Sequence, residues 1–164
     1  MKFEKFDPKY DVKEDVFDKN LREKILKERG YQYISSTSSD GLFLVVKDGK
    51  HGFINTKGEE IIFPKYDVAW KFQEGMAGFE KEGKYGFINT NGKEVIPAQY
   101  GETGPFSEGL AWVEKDNKFG FLDKSGKEVI SFQYEDARSF SGGKAMVSKN
   151  GERFYINQQG EKIF

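Results

Sequence analysis

The stretches HGFINTKGEEII (51–62), YGFINTNGKEVI (85–96), FGFLDKSGKEVI (119–130) and RFYINQQGEKIF (153–164) recur at a constant step of 34 residues, without insertion or deletion. The sequence between them keeps the same step. Tyr66, Tyr100 and Tyr134 are equivalent, as are Phe72, Phe106 and Phe140; Gly75, Gly109 and Gly143; and Ala77, Ala111 and Ala145. Upstream, GLFLVVKDGK (41–50) matches GMAGFEKEGK (75–84), so one unit builds the chain from about Asp40 to its last residue.

A 34-residue period also belongs to helical-hairpin solenoids, and the glycines decide against them. Each central unit fixes at least four, such as Gly75, Gly83, Gly86 and Gly92. A glycine inside a helix costs roughly 1 kcal/mol, which two regular helices per unit would not survive. Strand signals fit instead. GFEK (78–81) and KYGFIN (84–89) flank Glu82-Gly83, and LAWVEK (110–115) and FGFLD (119–123) flank Asp116-Asn117, both short hairpin connections. Thr90-Asn91-Gly92 and Lys124-Ser125-Gly126 then lead into EVIP (94–97) and EVIS (128–131). The expected fold is therefore mainly β: three-stranded antiparallel meanders repeated in an elongated or curved array, with one N-terminal amphipathic helix. Period-two alternation turns Ala77, Ala111 and Ala145, with Phe79, Val113 and Val147, inward. Phe53, Phe87, Phe121 and Tyr155 are the expected chief contributors to stability. Gly52, Gly86 and Gly120 sit mid-strand, where glycine marks a bulge or close approach; the expectation is a ring lying over each.

Composition agrees. Hydrophobic residues are 37% of the chain, yet aromatics reach 16%, with 16 Phe and 8 Tyr, which suits a core of rings on pleated strands. The charge is balanced, 26 basic against 27 acidic residues, so nucleic acid is disfavoured as a partner. There is no cysteine, which excludes disulfides, thiol catalysis and cysteine zinc sites. The charged N-terminus and the lack of a long apolar run imply no signal peptide and no membrane span, hence a cytoplasmic location.

The unit resembles the bacterial WG (KWG) β-repeat family. Lys50, Lys84 and Lys118 precede Gly52, Gly86 and Gly120 by two residues; Pro97, Tyr66-Asp67 and Phe106-Ser107-Glu108-Gly109-Leu110-Ala111 supply the rest of the pattern. The tryptophan of the family name is replaced by His51, Tyr85, Phe119 and Arg153, and the last unit has Phe154 for glycine. The resemblance implies a β-repeat scaffold and brings no catalytic residues.

Residues 1–39 read as a helix and linker packing as a cap on a repeat domain over 40–164. That domain divides into a half unit (40–48), units 49–82, 83–116 and 117–150, and a terminal half unit (151–164). DVKEDVFDKNLREKILKERG (11–30) places Val12, Val16, Phe17, Leu21, Ile25 and Leu26 on one helical face, with Asp11 as N-cap, Glu14 at N3 and Gly30 at C′.

For chemistry the chain offers little. His51, the one histidine, occupies a packing position of the repeat. Asp67, Glu102 and Glu135-Asp136 are the remaining acid/base stock, spread through the repeats with no unit specially equipped. No catalytic residue, cofactor or metal is expected, and no enzyme. The informative residues break the repeat: Leu44, Gly78, Trp112 and Met146 share one outward position, and Trp70 stands where Gly104 and Arg138 stand elsewhere. Leu44, Trp70, Trp112 and Met146 are thus the partner-binding candidates, set on a scaffold whose recurring positions include Gly52, Phe53, Tyr85, Gly86, Phe87, Phe119, Gly120 and Phe121. The expected function is protein recognition, regulatory or inhibitory toward a partner. A glycan- or small-ligand-binding module with aromatic grooves between repeats is the alternative. Several equivalent aromatic grooves would favour the ligand module, and one unique apolar patch the protein binder.

Overall fold

A computed structural model describes residues 17–164 and consists of four antiparallel four-stranded sheets preceded by one helix. The first sheet joins β1 (Tyr33–Ile34), β2 (Leu42–Lys47), β3 (Lys50–Asn55) and β4 (Glu60–Tyr66) in sequence order. The second joins β5 (Val68–Ala69), β6 (Met76–Lys81), β7 (Lys84–Asn89) and β8 (Glu94–Tyr100) in the same way. The third contains β9 (Glu102–Thr103), β10 (Leu110–Lys115), β11 (Lys118–Asp123) and β12 (Glu128–Tyr134); the fourth contains β13 (Asp136–Ala137), β14 (Ala145–Lys149), β15 (Glu152–Ile156) and β16 (Lys162–Ile163). The expected meanders are there, each with an added inner strand of two residues. Those strands carry no apolar run of their own; in the second to fourth sheets a single residue, such as Asp67, separates them from the preceding outer strand.

Local chemistry dictates the turns. The hairpins close on Asp48-Gly49, Glu82-Gly83, Asp116-Asn117 and Asn150-Gly151, with positive φ at both residues of every pair, the type I′ geometry that matches strand twist. After the third strand the side chains of Asn55, Asn89, Asp123 and Asn157 each accept two backbone N–H groups, two and four residues on, at 2.9–3.0 Å. These side-chain turns hold the register of the fourth strand.

Packing between sheets repeats as faithfully. Phe53 meets Phe72, Phe87 meets Phe106 and Phe121 meets Phe140, edge to face, with ring centroids 4.7–5.0 Å apart. In each pair one ring lies on the third strand of a sheet and its partner on the loop of the next; all six are buried. The inward residues are Phe43, Ala77, Ala111 and Ala145, then Val45, Phe79, Val113 and Val147, all buried as the alternation requires. A polar ladder runs beside them: Gly75 N–H donates to Asp40, Gly109 N–H to Glu74 and Gly143 N–H to Glu108, at 2.8–2.9 Å. Tyr155, placed with the core rings on sequence grounds, is 39% exposed. It takes the place of Phe121 in the repeat.

The helix α1 spans Lys19–Arg29, with Asp18 accepting from Leu21 N–H as its N-cap and Gly30 left-handed at its end. It starts later than Asp11; Asp11, Glu14, Val12 and Val16 lie outside the described residues. Phe17 packs edge to face on Phe43 at 4.6 Å, and Ile25 presses on Gly58. The Arg22 guanidinium donates to the carbonyls of Ile34 and Ser35.

The mid-strand glycines need correction. No ring covers them. A Cβ on Gly52 or Gly86 would stand 2.4 Å from the carbonyl oxygen of Ile62 or Ile96, and one on Gly120 would stand 2.7 Å from that of Ile130. The obstacle is the backbone of the neighbouring fourth strand, where register shifts on both sides of Phe53, Phe87 and Phe121 bring it close. Backbone cannot swing aside as a ring can. Gly86→Ala should therefore destabilise by about 3 kcal/mol. Gly83→Ala, strained only by its positive φ in open space, should cost about 1 kcal/mol. Urea unfolding midpoints at constant m-value compare them; equal costs would refute the backbone contact.

Candidate functional site

Between the second and third sheets lies a groove of about 460 Å³, lined chiefly by Trp70, Tyr85, Pro105 and Trp112 above Gly78 and Gly104, with Lys71, Gln73 and Glu102 contributing polar groups. Cross-strand register explains it. Trp70 N–H donates to the Gly78 carbonyl and Gly104 N–H to that of Trp112, so position 70 faces 78 and position 104 faces 112. In the second sheet that couple is Trp70 and Gly78; in the third it is Gly104 and Trp112. The large and small members have exchanged strands.

Each glycine makes room for the ring opposite. A Cβ on Gly104 would stand 2.1 Å from Trp112 Nε1, and one on Gly78 would stand 3.4 Å from the Trp70 ring. Both indoles are braced from behind. Trp70 stacks on Tyr85 at 5.6 Å, with the planes 23° apart, and Trp112 packs against Phe119 at 5.6 Å. The two tryptophans therefore stand on consecutive sheets as the walls of one groove. The corresponding couples elsewhere are Ser35 and Leu44 in the first sheet and Arg138 and Met146 in the fourth, which build no such pair.

Of the four candidate anchors the structure brings together two, Trp70 and Trp112. Leu44 is half-buried against the core beneath the first and second sheets, and Met146 is half-buried opposite Tyr155. Neither lines the groove. Of the outward positions in this column, only Gly78 and Trp112 reach it. Sequence reasoning missed Tyr85 and Pro105 as groove residues, because Tyr85 looked wholly explained by recurrence. The usable signal was the joint pattern: large with small, then small with large, across two columns eight residues apart.

The acid/base stock is committed elsewhere. The Lys50 ammonium and the Glu82 N–H hold Asp67 below the usual carboxylate range. The N–H groups of Gly151 and Asn150 do the same for Glu135. In the third sheet Gly101 stands where Asp67 stood; a Cβ there would collide with Glu114, whose carboxylate takes over the Asn117 N–H. Glu102 lines the groove without a carboxylate partner, and Asp136 pairs with Arg138 at 3.4 Å. Burial raises the phenols of Tyr66, Tyr100 and Tyr134. His51 Nδ1 accepts from Ala69 N–H at 3.1 Å, an inter-sheet contact. Among the described residues no three His, Cys, Asp or Glu side chains cluster as metal ligands, and no helix is long and apolar enough to cross a membrane.

The interlocked couples make a measurable claim. Gly104→Ala should destabilise by about 1–3 kcal/mol and shift indole emission, whereas in a Trp112→Ala background the same change should cost less than half as much. Additive costs in the double-mutant cycle would contradict the contact.

The 34-residue unit is also found by comparison with a known family. A model described as "WG containing repeat" matches residues 52–85, 85–119 and 119–152. Among solved structures, the chain is similar to Hsv2 of Kluyveromyces lactis ("complete loop 6CD"), at 9% identity and a TM-score of 0.46. That likeness covers 73% of this chain and 42% of the other. No curated protein matches the sequence. Three consecutive matches across residues 52–152, each one period long, cover more than half the chain, and the protein belongs to the WG containing repeat family.

Proposed function

We propose that this protein is a non-enzymatic recognition scaffold that binds a protein partner through the groove between its second and third sheets. The observation that carries this reading is that both tryptophans of the chain line one groove. A module for glycans or other small ligands is expected to repeat its aromatic site between every pair of sheets, but here two tryptophans converge once. The volume, about 460 Å³, suits a short segment or a few side chains of a partner. Trp70 is 44% exposed, an unusual state for so large a ring, and tryptophan is the residue most enriched among binding hot spots.

Catalysis has less support. General acids and bases work best with pKa values near the working pH. Asp67, Asp123 and Glu135 are shifted down and Tyr31, Tyr66, Tyr85, Tyr100 and Tyr134 up, each away from neutrality. A scaffold of this kind acts by occupying its partner, as a regulator or inhibitor.

Trp70 and Trp112 are the only tryptophans in the chain, so intrinsic fluorescence reports groove occupancy directly. Peptides selected from a random displayed library against the intact protein should shift that emission saturably. Trp70→Ala should weaken them about thirtyfold, the ~2 kcal/mol of a hot-spot ring, while leaving the melting temperature unchanged. Undiminished affinity in Trp70→Ala would overturn the assignment.

A further inference from the structure

We infer that the segment recognised by the groove is proline-rich and binds as an extended polyproline II helix; this rests on the protein-recognition reading above.

Indole N–H groups only donate, and both tryptophans line this groove. Trp112 Nε1 lies over Gly104, itself part of the lining. Among the described residues it has no acceptor and is not wholly buried, which leaves this N–H available to a ligand. The Gln73 amide and Lys71 ammonium add donors, whereas Thr103 Oγ1 is already committed to the Trp112 and Gly104 carbonyls. The carboxylate of Glu102 is the one charged acceptor. A donor-rich apolar groove asks for a ligand that is apolar and accepts without donating. Proline meets that description among peptide units, because its backbone has a carbonyl but no N–H.

Ring geometry points the same way. Trp70 and Tyr85 are stacked on each other, so they form one wall rather than two walls of a box. Trp112 and Pro105 form the other side. A quaternary ammonium needs ring faces around it on several sides, and Lys71 in the lining would oppose a cation. Flat ridges of aromatic rings separated by a slot suit the faces of pyrrolidine rings, the way proline-rich segments dock in aromatic grooves. Both partners are stiff beforehand. Each indole is braced against a second ring, and a polyproline II segment has little conformational freedom to lose.

The experiment titrates the full chain with three probes, following tryptophan emission and calorimetric heat. They are an oligoproline peptide, a proline-free peptide of equal length selected for apolar side chains, and a linear oligosaccharide of glucose. Oligoproline is expected to bind saturably and at least about tenfold tighter than the other two. Trp112→Phe keeps an aromatic ring but removes the N–H. It should weaken oligoproline about five- to tenfold, the value of one hydrogen bond, with the melting temperature held; Trp70→Phe gives an independent second removal should Trp112→Phe lose stability. Equal or tighter binding of the proline-free peptide overturns this inference and leaves protein recognition standing. Binding of the oligosaccharide alone overturns both. Oligoproline binding untouched by either Phe variant, or no saturable signal from any probe, overturns the inference.

Discussion

Edge-to-face packing of one phenylalanine from a third strand against one from the next sheet's loop is the contact on which this molecule depends. A four-stranded antiparallel sheet has two faces to cover, and a meander this short covers neither by itself. The pairs Phe53–Phe72, Phe87–Phe106 and Phe121–Phe140 join each sheet to its successor with nearly the same geometry. Burying each ring contributes roughly 1.5–3 kcal/mol, and the edge-to-face arrangement about 0.5–1.5 kcal/mol more. The 34-residue sequence unit is set out accordingly. A family match such as 52–85 begins on a third strand and ends on the next sheet's third strand, so it contains both members of a pair. What the sequence repeats is an interface rather than a sheet.

The first sheet has no repeat before it, and the N-terminal segment supplies the missing contacts. In later sheets the turn glycines Gly92, Gly126 and Gly160 each lie beneath an isoleucine of the preceding sheet: Ile62, Ile96 and Ile130. Gly58 lies beneath Ile25 of the helix instead. Likewise Tyr66 donates to Glu94 of the second sheet at 3.0 Å, and Tyr31, just past the helix, donates to the equivalent Glu60. Ile25 of the helix and Tyr31 beyond it thus stand where an isoleucine and a tyrosine of the preceding sheet stand elsewhere. The carboxylate ladder ends differently: Asp40, Glu74 and Glu108 each accept from the next sheet, and Gly142 stands at the fourth position with no carboxylate to offer.

Much of this was legible because it is local. The type I′ pairs, the Asn-to-Gly turns and the inward alternation of Ala77 with Phe79 all follow from residues within a few positions of one another. The two-residue inner strands were not legible, since Val68–Ala69 has no pattern until β6 provides a partner. The carbonyl over Gly86 was hidden for a related reason: it belongs to a strand whose register shifts, and bulge placement is not written in hydrophobic periodicity. The groove was half legible. Trp70 and Trp112 stood out as breaks in the repeat, but pairing each with its glycine requires knowing that position 70 faces 78 and 104 faces 112. Leu44, Trp112 and Met146 broke the same column and all are half-buried, yet only Trp112 reaches the groove, because a break identifies a substitution and not its neighbours.

The same economy bears on function. Polar side chains that recur in the repeat are structural here: Asp67 and Glu135 hold hairpins, Asn89 and Asp123 hold turns, and Glu74 and Glu108 hold neighbours. Only a departure from the repeat can carry a property that one place has and the others lack. Most departures here are absorbed by a compensating change, as Gly101 is by Glu114. The exchange of tryptophan and glycine between the second and third sheets is compensated too, since each ring has its glycine. The compensation removes the strain without covering the rings. Trp70 therefore stays exposed and Trp112 half-buried, each braced against a second ring and lining one groove.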